Sequence, residues 1–181
     1  MKLRKIFAAA ALVAASATAG SAATYNLGDA TYGATTTETL IKQTLDFIEF
    51  SFDAPAGYYV SALDISVTSV PGSNFRELIG LYSGSSLVAT AQSPAAGSSA
   101  ILSFSGAAVP AEGAYTLAIG GWKSYFTADI ANAYSTAFFN NGQYTVNINP
   151  TLSAVPLPAG GLLLLTGFGA MAIARRKKRS A

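Results

Sequence analysis

Four carboxylates that follow one another along the chain, Asp46, Glu49, Asp53 and Asp64, are the side chains best suited to chemistry. A glycoside hydrolase needs only two acids at a suitable separation, one to protonate the leaving oxygen and one to act as nucleophile or base. Glu49 and Asp53 alternate with apolar neighbours and fall on the predicted solvent face, so ordinary surface charge is the plainer reading. Composition closes most other routes. The chain has no His and no Cys, which removes Ser-His-Asp and Cys-His nucleophiles and the usual transition-metal ligand sets. Gly72, Gly84, Gly97 and Gly113 sit in turn-forming sequences and not at a strand-to-helix junction, so no phosphate-binding loop is predicted. The chain is therefore not expected to be an enzyme, with a small carboxylate-dependent glycan enzyme as the alternative. Calcium is the one cofactor that the composition suits, through hard oxygens near Asp29, Asp53 and Asp129, although isolated loop aspartates also serve simply as turn residues.

The segment with most promise for a ligand is Gly120-Gly121-Trp122-Lys123-Ser124-Tyr125-Phe126, where the single Trp, a Lys and two further aromatics follow a predicted strand end. Aromatic rings stack on the apolar C–H face of a sugar, and Lys123 and Ser124 could bond its hydroxyls. Trp122, Lys123 and Tyr125 are thus the candidate ligand residues, for a polysaccharide. The competing reading is that Trp122 and Phe126 plug the open end of the fold, because aromatics bury so much area.

The elements that must position these residues read as strands almost throughout. Ile48, Phe50 and Phe52 alternate with Glu49, Ser51 and Asp53, and Leu63, Ile65 and Val67 alternate with Asp64 and Ser66. The same period of two returns in residues 115–119 and 144–149, with weaker candidates at 77–83, 86–92, 100–105 and 135–139. Turn formers separate them, among them Pro55-Ala56-Gly57, Pro71-Gly72-Ser73-Asn74 and Asn140-Asn141-Gly142. About eight short strands with one buried face each predict an all-β, antiparallel, jelly-roll-like β-sandwich over residues 24–152. Residues 34–44 suit either a strand lead-in or a short helix, and residues 127–137 could line a helical face.

Both ends carry targeting signals. Lys2, Arg4 and Lys5, an apolar run from Ile6 to Ala15 and the small residues Gly20-Ser21-Ala22-Ala23 predict a secretory signal peptide over residues 1–23, cleaved by signal peptidase after Ala22 or Ala23. The run is too short and too Ala-rich for a first transmembrane helix. At the other end, residues 153–181 combine two prolines, an apolar stretch from Ala159 to Ala174, about 24 Å long as a helix, and a basic cluster. This reads as a C-terminal transmembrane helix whose cations stay in the cytoplasm. With both ends set aside, Lys42, Arg76 and Lys123 face all nine acidic residues, a net charge of −6. An acidic body gains nothing from phosphate counterion release, so nucleic-acid binding is excluded.

Val155-Pro156-Leu157-Pro158-Ala159, then Gly160-Gly161 and four leucines, then Arg175-Arg176-Lys177-Lys178-Arg179, resembles the VPLPA type of PEP-CTERM sorting signal of Gram-negative bacteria. The resemblance implies that Val155, Pro156, Leu157, Pro158 and Ala159 are the motif recognised by an exosortase, a membrane-embedded processing enzyme. It also makes Arg175, Arg176, Lys177, Lys178 and Arg179 the retention cluster. The alternative is a plain membrane anchor that is never processed. The body, through residues 45–52, 78–84 and 113–121, is similar to bacterial pre-peptidase C-terminal β-sandwich modules and to the FxDxF group of exported proteins. Thr44 stands where the first Phe of that motif would fall, so only the architecture carries over. The expectation is an exported structural or interaction protein of the cell surface or extracellular matrix, held in the inner membrane by its tail before processing. A carbohydrate-binding module recognising exopolysaccharide is the alternative.

Overall fold

The computed structural model describes residues 22–40, 44–73, 75–136 and 142–155. Its strands are β1 (Thr24–Asp29), β2 (Ala34–Leu40), β3 (Asp46–Phe52), β4 (Tyr58–Ser69), β5 (Glu77–Ser83), β6 (Ser86–Gln92), β7 (Ser99–Ser105), β8 (Gly113–Gly121), β9 (Ser124–Tyr125), β10 (Tyr134–Ser135) and β11 (Gly142–Ala154). One sheet has the order β1-β3-β8-β5-β6 and the other β2-β11-β4-β7, while β9 and β10 form a separate small ladder. The two large sheets share one core, which makes the body an all-β sandwich.

Alternation explains the pairing. Ile48, Phe50 and Phe52 of β3, Ile79 and Leu81 of β5, and Leu117 and Ile119 of β8 are buried against Leu63, Ile65 and Val67 of β4 and Val146 and Ile148 of β11. Each side chain buried in this way stabilises the fold by roughly 1.5–3 kcal/mol relative to exposure. The opposite parity of β3 and β4, such as Glu49 and Asp64, faces water, whereas on β5 and β8 Tyr82 and Ala118 are buried on that side as well.

The sandwich departs from the expected all-antiparallel, jelly-roll-like pattern at one edge. β1 lies parallel to β3, with Thr24 opposite Phe47 and Asp29 opposite Ser51. A parallel neighbour needs a crossover, and β2 supplies it by running through the other sheet between the two. Residues 34–40 form that strand and not a helix, as suits a run of β-branched threonines. Thr35 and Thr37 reach across to Asn147 and Thr145 at 3.0 Å each. Residues 127–136 hold a short 3-10 turn, Ile130–Asn132, and the two residues of β10, so the predicted helical face is absent.

The register also fixes two poles. β8 begins with Gly113 opposite Phe52 and ends with Gly121 opposite Glu77, about 27 Å away at ordinary strand rise. Trp122 follows Gly121. Ala154, at the end of β11, lies opposite Tyr58, and the Val155 N–H donates to the Gly57 carbonyl at 2.8 Å, so the chain leaves the sandwich at the Gly113 pole. Among the described residues no helix is long and apolar enough to cross a membrane. The predicted signal sequence up to residue 21, Pro156, Leu157, Pro158 and Ala159 of the predicted sorting motif, the predicted transmembrane segment and the basic cluster lie outside the described residues.

Candidate functional site

After β8 the chain turns through Trp122 and Lys123 and folds back over the outer face of the five-stranded sheet. Lys123 adopts a φ of 77°, the left-handed region that a side chain enters only at a cost of order 1 kcal/mol. Its carbonyl accepts the Thr136 N–H at 3.1 Å and the Thr136 hydroxyl at 3.2 Å, which closes the turn. Two glycines make room for the returning segment. A Cβ on Gly120 would stand 2.1 Å from Ser124 Oγ and 2.6 Å from Leu45 Cδ2, and one on Gly80 would stand 2.8 Å from Phe126 Cγ. Ser124 and Phe126 therefore pack inward, and Tyr125 between them faces out. Farther along, Tyr82 Oη donates to the Thr127 carbonyl at 3.1 Å, and the Ile130 N–H donates to the Ser85 carbonyl at 3.0 Å. Residues 122–136 thus form a flap pinned along the sheet.

The flap presents three aromatic rings. Tyr125 and Tyr134 are cross-strand partners whose rings stack with centroids 4.9 Å apart, and they are 48% and 51% exposed. Trp122 is 53% exposed, with Lys123 Nζ 5.4 Å from its ring centre in a cation–π contact. This corrects the reading of Trp122 and Phe126 as plugs of the sandwich end: Trp122 is outside, and Phe126 covers Gly80 on the outer face of the sheet. It also removes Ser124 as a ligand group, because that residue is buried and donates to Ser135 Oγ at 2.9 Å. Tyr134, which the sequence reading left aside, completes the surface; its pairing with Tyr125 depends on the turn between them.

The four candidate carboxylates are not brought together. Asp46 and Glu49 point to opposite faces of β3, Asp53 follows that strand, and Asp64 lies on the outer face of the other sheet. An open depression of about 430 Å³ contains Glu49 with Asn26, Ser51 and Thr116 beside it. Two of the three loop aspartates proposed for calcium hold backbone. Asp29 accepts the Thr31 N–H at 2.9 Å and the Thr31 hydroxyl, and Asp129 accepts the Ala131 N–H at 3.1 Å. Among the described residues no three acidic groups gather at one point.

Instead, the pole that carries Trp122 has a polar interior. Asp46 is 2% exposed and accepts a hydrogen bond from Tyr144 Oη at 2.8 Å. Burial pushes its carboxyl up to about 6, with a further push from the Glu38 charge, against the opposing pull of the Tyr144 hydroxyl and the Ala23 backbone N–H. Tyr25, beside Glu38, is pushed up to about 12 by burial and by the Asp46 and Glu38 charges. Tyr144 is raised by burial and by Asp46. Glu77 is fully buried, and neither of its carboxylate oxygens nor the Ser93 hydroxyl has a hydrogen-bond partner. Parity was the signal for these groups, since Asp46 continues Ile48 and Phe50, Glu77 continues Ile79 and Leu81, and Tyr144 precedes Val146.

No family model matches the chain, and no curated protein matches it. Among solved structures it is similar to PliG of Aeromonas hydrophila, a periplasmic inhibitor of g-type lysozyme, at 10% identity over 73% of this chain and 100% of that one, with a TM-score of 0.39. PliG of Salmonella Typhimurium aligns at 13% identity over 71% of this chain and 99% of that one, with a TM-score of 0.36. The chain is also similar to the pre-peptidase C-terminal domain of collagenase from Bacillus anthracis, at 18% identity over 71% of this chain and 96% of that domain, with a TM-score of 0.43.

Proposed function

We propose that this protein is an exported, non-catalytic interaction module of the cell surface or extracellular matrix, delivered through signal peptidase and a C-terminal sorting step. The observation that carries the reading is polarity: Val155, the first residue of the sorting motif, leaves at the pole opposite Trp122. A precursor anchored in the inner membrane by residues 159–174 would hold its flap outward. Tyr58 and Tyr59 lie beside Ala154 and Ser153 and are exposed, as tyrosines at a membrane interface commonly are. Val155 is itself exposed, as access by an exosortase requires. Intact mass spectrometry of the protein from producing cells tests the sorting step. Loss of the tail near residues 155–159, prevented by replacing Pro156 and Pro158 with Ala, is the expected result; a tail running to Ala181 in both proteins would leave a plain anchor.

The exposure of Trp122, Tyr125 and Tyr134 favours an exopolysaccharide as the partner. Exposed aromatic rings, with an ammonium beside the Trp122 ring, suit pyranose faces and anionic sugars. Affinity electrophoresis through gels containing the producer's polysaccharide should retard the protein, and Trp122→Ala should abolish most of the retardation. Equal mobility with and without polysaccharide would rule this partner out.

A further inference from the structure

The sequence offers two peptide bonds to signal peptidase, after Ala22 or after Ala23, since either leaves small residues on the acyl side. The position of Ala23 separates them. Its carbonyl accepts the Phe47 N–H at 2.7 Å, extending the β1–β3 ladder one residue before Thr24 and setting Ala23 beside Asp46, whose carboxyl the Ala23 backbone N–H pulls down. Asp46 lies on the core face, with Tyr144 Oη at 2.8 Å from β11, Tyr25 on β1 and Glu38 on β2 around it. Two phenols and another carboxylate supply no positive charge, and a buried carboxylate is costly unless a cation meets it. Cleavage after Ala23 would remove both of that residue's contacts. Cleavage after Ala22 keeps the carbonyl and leaves the nitrogen in place.

We propose that the chain is cut between Ala22 and Ala23 and that the new α-ammonium group of Ala23 forms a buried ion pair with Asp46, fastening β1 to β3 in the processed protein only. The hydrolysis consumes one water. Its oxygen ends on the Ala22 carboxylate and both its hydrogens on the Ala23 nitrogen, which becomes the ammonium. An intact precursor offers Asp46 only a neutral amide, so the first strand docks more weakly until the signal is removed.

The inference rests on the export reading, and one preparation separates the two. The full mature chain from producing cells is analysed for its first residue, and the pH dependence of α-amine acylation is then measured on it. Ala23 as first residue is expected. Thr24 or any later residue would overturn the pair and leave export standing, whereas Met1 would overturn both. The acylation midpoint should lie at least about one unit above the ordinary α-amine value near 8, so that the amine reacts about tenfold more slowly at pH 7. In Asp46→Asn the midpoint should fall back to about 8 or below, since burial alone disfavours the ammonium. Should that variant fail to fold, the native chain is compared with itself in denaturant. A midpoint that is the same in the native chain and in either reference would overturn the ion pair.

Discussion

The two poles of the sandwich are built from the same strands and hold opposite interiors. At the pole where the chain leaves, Phe50, Phe52 and Tyr115 pack with ring centroids 5.4–5.9 Å apart, and the Tyr115 hydroxyl reaches the Ala111 carbonyl. At the Trp122 pole the same inward positions of β3, β4, β5 and β11 hold Asp46, Ser69, Glu77 and Tyr144. The first end is an aromatic lock, and its buried Thr31 hydroxyl is satisfied by Asp29 and by the Asp53 N–H. The second tolerates buried polar groups, two of them carboxylates, and beside it lie the exposed flap and the start of β1. Aromatic packing and buried polar groups are therefore segregated to different ends of one core, and the proposed ligand surface lies beside the polar end.

The contrast can be broken most severely at the aromatic end. Phe50→Ala should cost about 3–5 kcal/mol in chemical denaturation, through lost transfer energy and a cavity between Phe52 and Tyr115; a loss below about 1 kcal/mol would remove the aromatic lock. The next effect lies at the other end and depends on pH. Asp46 is raised from 3.8 to about 6, so the folded state holds this proton more tightly than the unfolded chain does. That contribution to stability is fully present below pH 3.8 and is lost as pH rises through about 6, a change of about 3 kcal/mol. The difference between wild type and Asp46→Asn should trace it in a chain with a blocked N-terminus. A free ammonium at Ala23 should flatten the loss by holding the carboxylate charged at lower pH.

Two smaller effects sharpen the comparison. Glu77→Met fills a similar volume and removes two buried oxygens that lack partners, so it should raise stability by about 1–3 kcal/mol. Destabilisation would instead mean that the carboxylate has a partner which the fold supplies. Trp122→Ala should change stability by no more than about 0.5 kcal/mol, because the ring is half exposed, while polysaccharide retention falls. A large loss in denaturation would return Trp122 to a structural role.

Much of this was legible in the residues. Period-two alternation placed β3, β4, β8 and β11 and separated the wet faces of β3, β4 and β11 from their dry ones, whereas β8 is buried on both faces from Leu117 onward because the flap covers it. The expected strands at 77–83 and 86–92 coincide with β5 and β6. β1 was not legible, since its short run of Tyr25 and Leu27 gains meaning only beside β3, a partner more than twenty residues away. The flap was half legible. Trp122, Lys123 and Tyr125 stood out by type, but Tyr134 joins them only because Gly80 and Gly120 let the returning chain lie against the sheet.

The sequence by itself determined which residue types are missing, the patterns from which export and sorting are predicted, and the inward face of each strong strand, because these follow from residue type and from spacing of a few residues. Tertiary structure decided which faces meet. The parallel β1–β3 edge, the exposure of Trp122, the separation of Glu49 from Asp64 and the approach of Ala23 to Asp46 all join residues distant in the chain. Such contacts are set by how two sheets close on one core, and no local period encodes them.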